Sequence, residues 1–302
     1  PTWGGGGYRY LLFSDVVGNV VFKVDGREVE RYLEPSGFVG VSLLKEPGSN
    51  GLVYDGERGR LVLCDHGNRM VKAKEVGDIE NGVGDWIVVA RAYQGKSLNS
   101  PNDLAFSPRG DLFFTDPSYG LVKRPEMIRG ELAVERELDM NGLYRVRKED
   151  IDAGRDRVEL VWSDIYRPNG LVFDVNGEWL YVSNSDRNNP TWFRFPIHQN
   201  GSVGEPELFL TGEELKKMID PHWTGEWIGS PDGMTTDREG NLYLTGLSGV
   251  HIITRDKTYI KSIITGQKTA NVEISPNGYL YITANTQLLR IPINTTSGKF
   301  SL

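Results

Sequence analysis

The sequence predicts an all-β fold, a six-bladed β-propeller. Three observations predict it. A two-part apolar motif recurs six times along 302 residues. Its copies stand roughly 50 residues apart, the size of one four-stranded blade. Glycine reaches 36 residues beside 15 prolines, against roughly 7% glycine in average proteins, so many short strands must meet at tight turns.

The motif opens on a small or polar pair, runs through a short apolar stretch, and turns at a glycine. It then enters an apolar, often aromatic strand that ends in Thr, Ser or Cys. The first copy is degraded: Pro1-Thr-Trp followed by Tyr10-Leu-Leu-Phe-Ser-Asp15. The second reads Asn50-Gly-Leu-Val-Tyr-Asp with Gly59-Arg-Leu-Val-Leu-Cys-Asp65. The third is Asn102-Asp-Leu-Ala-Phe-Ser with Gly110-Asp-Leu-Phe-Phe-Thr-Asp116. The fourth is Asn169-Gly-Leu-Val-Phe-Asp with Gly177-Glu-Trp-Leu-Tyr-Val-Ser-Asn184, and the fifth Asp232-Gly-Met-Thr-Thr-Asp with Gly240-Asn-Leu-Tyr-Leu-Thr-Gly246. The sixth is Asn271-Val-Glu-Ile-Ser-Pro with Gly278-Tyr-Leu-Tyr-Ile-Thr-Ala284. Each copy carries the signal of a hairpin, apolar alternation around a glycine-centred turn. Further strand-like runs follow some copies, such as Gly249–Thr254 and Leu288–Ile291. Tyr181, Tyr243 and Tyr281 occupy matching strand positions and read as packing between blades. The longer steps need insertions: Glu126 to Met140 and Glu213 to Ile219 read as short helices or loops laid over one face. No Pro-, Gly- or Ser-rich linker interrupts the chain, so residues 1–302 read as one domain.

Composition excludes several classes of function. The net charge is −7, which leaves no electrostatic footprint for nucleic acid or anionic membranes. No apolar run approaches the ~20 residues of a membrane span. The single cysteine, Cys64, allows no intrachain disulfide and no thiolate cluster, and reads as a small buried hydrophobe. The chain begins at Pro1, without Met or a signal sequence. A cytoplasmic place is favoured, with a periplasmic or secreted one open if an N-terminal segment has been removed. One glycosylation sequon, Asn294-Thr295-Thr296, stands near the end.

The first residue of each repeat carries the chemistry. Propeller blades are radial, so equivalent positions converge on the central channel. Those positions are Asn50, Asn102, Asn169, Asp232 and Asn271. Four amides and a carboxylate are hard oxygen donors of the kind Ca²⁺ takes, and nothing here suits a soft metal. Asn-Gly and Asp-Gly are also ordinary turn dipeptides. Three copies go further and place Pro directly before the polar residue, at Pro101, Pro168 and Pro231, which fixes the backbone that aims the side chain.

These residues resemble the senescence-marker-protein/gluconolactonase family, which includes regucalcin, and its microbial gluconolactonase branch in particular. The matching stretches are Pro1-Thr-Trp with Phe13-Ser-Asp15, Asn50-Gly-Leu with His66-Gly-Asn-Arg69, and Asn99-Ser-Pro-Asn-Asp103 with Phe114-Thr-Asp-Pro117. Further along come Arg167-Pro-Asn-Gly170, Ser230-Pro-Asp-Gly-Met234 and Leu280-Tyr-Ile-Thr283. The resemblance implies a divalent cation in the channel, Ca²⁺ first, with Mg²⁺, Mn²⁺ or Zn²⁺ as alternatives. Its protein ligands would be Asn169, Asp232 and Asn102. The family also uses a Glu in the pattern Glu-Gly-Pro-x-Trp; here it would fall two positions before Pro1.

The implied activity is metal-dependent hydrolysis of a small-molecule sugar lactone. Asp232 is the expected catalytic residue, and Asn102, Asn50, His66 and Tyr119 are the expected substrate contacts. Asp116 either lines the mouth or caps a turn. His222, Trp223 and Trp227 form a wall over the channel or simply pack an insertion onto a blade. Two other functions share this sequence logic: an organophosphate or ester hydrolase of the same fold, and a calcium-binding or interaction propeller without turnover.

Overall fold

The computed structural model describes residues 1–4, 10–40, 42–123, 133–222 and 226–293, with backbone alone at residues 3 and 4. The chain divides into two compact units, Pro1–Ile165 and Tyr166–Leu302. Three antiparallel blade sheets lie in each.

In unit 1 the first sheet runs β1 (Thr2–Gly4), β2 (Tyr10–Asp15), β3 (Val20–Asp25), β4 (Glu28–Leu33). The second runs β5 (Ser49–Asp55), β6 (Arg60–Asp65), β7 (Met70–Glu75), β8 (Ile87–Ala90), with helix α1 (Val76–Asn81) between its last two strands. A small hairpin, β9 (Ala92–Tyr93) and β10 (Lys96–Ser97), leads to the third sheet. That sheet holds β11 (Leu104–Phe106), β12 (Leu112–Asp116), β13 (Gly142–Val146) and β14 (Glu159–Trp162), with helix α2 (Lys148–Asp152) before its last strand.

Unit 2 repeats the plan. Its first sheet is β15 (Pro168–Phe173), β16 (Trp179–Asn184), β17 (Thr191–Pro196), β18 (Glu207–Thr211). Its second is β19 (Met234–Thr236), β20 (Leu242–Gly246), β21 (Gly249–Ile253), β22 (Tyr259–Ile264). Its third is β23 (Thr269–Ile274), β24 (Tyr279–Ala284), β25 (Gln287–Pro292). Helix α3 (Gly212–Ile219) is the expected insertion helix, started by a capping box in which Thr211 and Glu214 satisfy each other's backbone N–H groups. The other expected insertion, Glu126 to Met140, falls partly outside the described residues, and its described part contains no helix.

Every copy of the motif lies on the first two strands of a sheet. The residue closing its first half ties the hairpin: Asp174 Oδ1 accepts the N–H groups of Glu178 and Trp179 at 2.7 and 2.9 Å, and Asp237 Oδ1 accepts those of Glu239 and Asn241 at 3.0 and 2.8 Å. The turn glycine that follows needs a positive φ, as at Gly240 (φ 83°), which glycine adopts at no steric cost.

The Ser, Thr or Cys near the end of each second strand also has a task. Ser14 Oγ donates to the Asn50 carbonyl at 2.6 Å. In unit 2, Ser183 Oγ donates to the Asp232 carbonyl at 2.8 Å and Thr245 Oγ1 to that of Ala270 at 3.2 Å. Ser14 and Ser183 thus hold the segment that enters the following sheet, whereas Thr245 Oγ1 lies closer to Gly233 O of its own blade, at 2.6 Å, and Thr283 Oγ1 bonds to Asn271 O within its own sheet at 3.3 Å. Cys64, fully buried, occupies this position in the second sheet.

Packing between neighbouring sheets is apolar. In unit 1, Val62, Val71, Leu104, Phe114 and Tyr144 share one cluster. In unit 2, Tyr243 packs with Val250, Val272 and Leu280, and Tyr181 with Phe209, Leu210 and Leu244, as the sequence predicts for these tyrosines.

Candidate active site

The predicted site residues form one group in each unit. In unit 1, Asn102 follows Pro101 and is almost wholly buried. Its N–H donates to Thr115 O at 2.8 Å, and its carbonyl accepts the Gly51 N–H at 2.7 Å. That second bond sets Asn102 beside the β5 segment carrying Asn50. The loop leading to Asn102 is held by Asp116, which is buried and accepts the N–H groups of Asn99 and Ser100, each at 2.8 Å. Burial pushes the Asp116 carboxyl up to about 7, and the two N–H groups pull it back only in part. Of the two roles read for Asp116, the structure displays loop capping.

Ser100 extends this loop. Its Oγ donates to Pro117 O at 2.6 Å and accepts the Gly120 N–H at 2.9 Å. Gly120 belongs to the 3₁₀ turn Tyr119–Leu121, which puts the Tyr119 backbone at this group. The turn needs glycine there, because a Cβ would stand 2.7 Å from Ser100 Cβ and 2.9 Å from His66 Cβ. His66 is completely buried. Its Nε2 lies 3.4 Å from Asn50 Nδ2, and its Nδ1 lies 3.2 Å from Glu46 Oε2, outside hydrogen-bonding geometry. The structure therefore brings Asn50, His66, Asn102 and the Tyr119 turn together.

Glu46 is the residue that sequence reading missed. It stands in the loop between the first two sheets, outside the repeated motif, so no periodic signal marks it.

In unit 2, Asn169 and Asp232 are neighbours. Asn169 Nδ2 donates to Ser185 Oγ at 2.9 Å, and that hydroxyl makes a short hydrogen bond to the Pro231 carbonyl. The Arg167 N–H donates to Asn184 Oδ1 at 2.9 Å, fixing the approach to Pro168 and Asn169. Gly170 lies against the next strand entry: a Cβ on it would stand 2.4 Å from Asp232 O and 2.6 Å from Gly233 Cα. Gly233 in turn abuts Asn271, where a Cβ would meet the carboxamide at 2.2 Å. In unit 1, a Cβ on Gly51 would meet Asp103 Cα at 2.7 Å. The glycines of Asn50-Gly, Asn169-Gly and Asp232-Gly are therefore contact glycines at or beside the first strand of a sheet. Neighbouring backbones can approach only where no side chain intervenes. The turn reading of these dipeptides gives way to this one.

Asn271, the fifth repeat-opening residue, directs Oδ1 to its own neighbour's N–H, Val272, at 2.8 Å. Trp227 packs edge-on against the buried His251, with ring centroids 6.4 Å apart, the packing alternative for this insertion. Trp223 and the sequon at Asn294 lie outside the described residues.

Among the described residues no three His, Cys, Asp or Glu side chains converge as a metal cage. Ser185 accepts an N–H from the Asn169 amide, whose oxygen is the atom able to bind a cation, and the backbone of Asp232 lies against Gly170. An amide oxygen and a carboxylate are hard ligands that fit Ca²⁺ rather than a thiolate-seeking metal.

Six sheets built on one repeated hairpin, with polar residues at their strand entries, define the class: an all-β, six-bladed β-propeller. The family model described as the SMP-30/Gluconolactonase/LRE-like region matches residues 1–286, and the chain belongs to that family. It is 31% identical over 302 residues to a gluconolactonase of Zymomonas mobilis, covering 98% of this chain and 78% of that protein. The solved structure of a Xanthomonas campestris gluconolactonase superposes with a TM-score of 0.73 at 26% identity, covering 94% of this chain and 82% of the other. A luciferin-regenerating enzyme shares the fold, with a TM-score of 0.64 at 18% identity over 91% of this chain and 80% of its own.

Proposed function

We propose that the protein is a divalent-cation-dependent hydrolase of sugar lactones. The observation that carries this reading is the Asn169–Ser185–Pro231–Asp232 arrangement, in which one hydroxyl ties the Asn169 amide to the strand entry that bears Asp232. It stands in a chain 31% identical to a gluconolactonase.

Asn169 and Asp232 would hold the cation. Asn102 joins them on the equivalence of its place in its own repeat. When bound, the cation supplies Lewis-acid polarisation of the lactone carbonyl. Asp232 orients the attacking water through its carboxylate; a metal-bound carboxylate is a weak base, so orientation is its main task. Water adds to the carbonyl carbon, the ring C–O bond breaks, and the ring oxygen takes up a proton to give the open hydroxy acid. Asn50, Asn102 and Tyr119 are assigned to the ring hydroxyls, and His66, expected from sequence as a contact, is completely buried and serves the group from behind Asn50. Amides suit that task, since each offers a donor and an acceptor.

The test is proton release from D-glucono-1,5-lactone after chelation and after adding back Ca²⁺, Mg²⁺, Mn²⁺ or Zn²⁺. Turnover lost to chelator and restored by one cation is expected. Asp232→Asn should lower turnover at least about a hundredfold, in line with losing an electrostatic catalytic group, while the thermal transition stays intact. Asp232→Asn activity near wild type would sink the assignment. Hydrolysis of phosphotriesters but of no lactone would replace the substrate class.

A further inference from the structure

Three residues from separate elements meet in unit 1: Glu46 from a loop, Asn50 from β5, and His66 just past β6. We propose that Glu46 and His66 are positioning residues for Asn50. In this arrangement the carboxylate holds the imidazole as its Nδ1–H tautomer and the bare Nε2 accepts an N–H from the Asn50 carboxamide. Asn50 Oδ1 is then presented as an acceptor for a substrate hydroxyl.

Donor and acceptor inventory leads to this assignment. Asn50 Nδ2 can only donate. Its 3.4 Å approach to Nε2 is attractive only if Nε2 carries no proton. A neutral imidazole then bears its proton on Nδ1, which faces Glu46 Oε2 at 3.2 Å. Nδ1 is buried and makes no hydrogen bond among the described residues, and leaving a buried donor unmet is costly. Glu46 is one-fifth exposed, and a small turn of its carboxylate satisfies Nδ1.

The surroundings leave little else free to move. The His66 N–H donates to Gly48 O at 3.1 Å, and Gly120 blocks its Cβ. The Asn50 carbonyl is held by Ser14 Oγ at 2.6 Å. The remaining freedom is the flip of the Asn50 amide; a flip would call for the proton on Nε2 and leave a bare Nδ1 facing the Glu46 carboxylate at 3.2 Å, acceptor against acceptor. Among the described residues Oδ1 accepts no hydrogen bond, so it is available to a ligand.

The role of Asn50 toward substrate rests on the lactonase reading; the tautomer does not. Two measurements on the full chain therefore separate them. Long-range ¹H–¹⁵N spectra of the imidazoles, with His66 assigned by loss of its signals in His66→Gln, should show His66 protonated on Nδ1. Glu46→Ala should shift it toward the Nε2–H form, and Glu46→Gln, which keeps an acceptor, should not. In lactone hydrolysis, Glu46→Ala should raise KM about fivefold with kcat within about twofold, the pattern of lost uniform binding. Glu46→Gln should stay within about twofold of wild type. Glu46→Ala/Asn50→Ala should be no worse than Asn50→Ala alone, as for residues acting through one another. An Nε2–H or doubly protonated His66 in the wild type overturns the proposal, as do losses that multiply in the double variant. If the wild type turns over no lactone, the lactonase reading fails. The tautomer then decides the positioning claim by itself.

Discussion

The two units meet one local need with different chemistry. Each must hold the segment that enters a strand through Pro-Asn. In unit 1 the holder is a buried carboxyl group, Asp116, accepting the N–H groups of Asn99 and Ser100. In unit 2 the equivalent residue is an amide, Asn184, accepting the Arg167 N–H, and the Ser185 hydroxyl completes the hold on Asn169. The shared requirement is an acceptor at the strand end; charge is optional. What differs is the response to pH, because the carboxyl group titrates and the amide does not.

The largest effect should come from the close backbone approach that both units use. Gly170→Ala drives a Cβ to 2.4 Å from Asp232 O and 2.6 Å from Gly233 Cα. Both obstacles are backbone, with no flexible side chain to yield. Urea unfolding should show a loss of about 3 kcal/mol or more, at or above the upper range for overpacking, with activity falling alongside. Gly233→Ala should cost less, since its nearest obstacle is the Asn271 carboxamide, which can rotate away. A loss below about 1 kcal/mol for Gly170→Ala would break the account of the contact glycines.

Titration should separate the units next. Burial raises Asp116 from 3.8 to about 7. The folded state therefore binds its proton more tightly than the unfolded chain. The associated stability is complete below about pH 4 and is lost as pH rises through about 7. Asp116→Asn removes that trend. It also leaves one of the two N–H groups facing an amide nitrogen, a cost of about 1–3 kcal/mol at pH 4. Its penalty relative to wild type should shrink between pH 4 and 7, followed by chemical denaturation; a constant penalty would show that Asp116 does not titrate in this range.

A buried histidine of unit 2 should slope the other way. His251 is buried between Ser262 Oγ at 2.8 Å and Gly246 O at 3.0 Å, and burial lowers it from 6.5 to about 4. Its contribution is present above pH 6.5 and lost as pH falls through about 4. His251→Gln should remove that acid-side loss. An acid limb unchanged in the variant would mean that other groups set it.

Much of this was legible in the sequence. The six motif copies fall on the first two strands of the six sheets, because hairpins write themselves as alternation around a glycine turn. The local neighbourhoods Asn50–His66 and Asn169–Asp232 were also within reach, since equivalent repeat positions take equivalent places. Three things were not. Glu46 lies in a loop outside the repeat. Ser185 acts by occupying an amide nitrogen, which leaves no spacing signature. The Asn-Gly pairs look like turns in one dimension, and only the neighbouring backbone shows why glycine is needed. Short helices α1 and α2 escaped as well, being six and five residues long, too brief for a helical period to register.

The smallest effect concerns the two serine hydroxyls that tie one blade to the next. Ser14 serves Asn50 in unit 1, and Ser183 serves Asp232 in unit 2. Each hydrogen bond is worth about 1 kcal/mol net, so Ser14→Ala and Ser183→Ala should each lower stability by about that amount. Their effects on activity should differ in kind. Ser14→Ala loosens a strand that bears a proposed substrate contact and should raise KM. Ser183→Ala loosens the backbone of Asp232, the proposed ligand, and should weaken the restoring effect of added cation after chelation. Cys64, fully buried at the same strand position, supplies the natural comparison, because a thiol fits the site but donates weakly. Ser183→Cys should therefore lie between Ser183→Ala and wild type in cation dependence. A Ser183→Cys variant as impaired as Ser183→Ala, with Ser14→Ala impaired in the same way as both, would mean that the hydroxyls matter only for cohesion and do not aim the two groups of site residues.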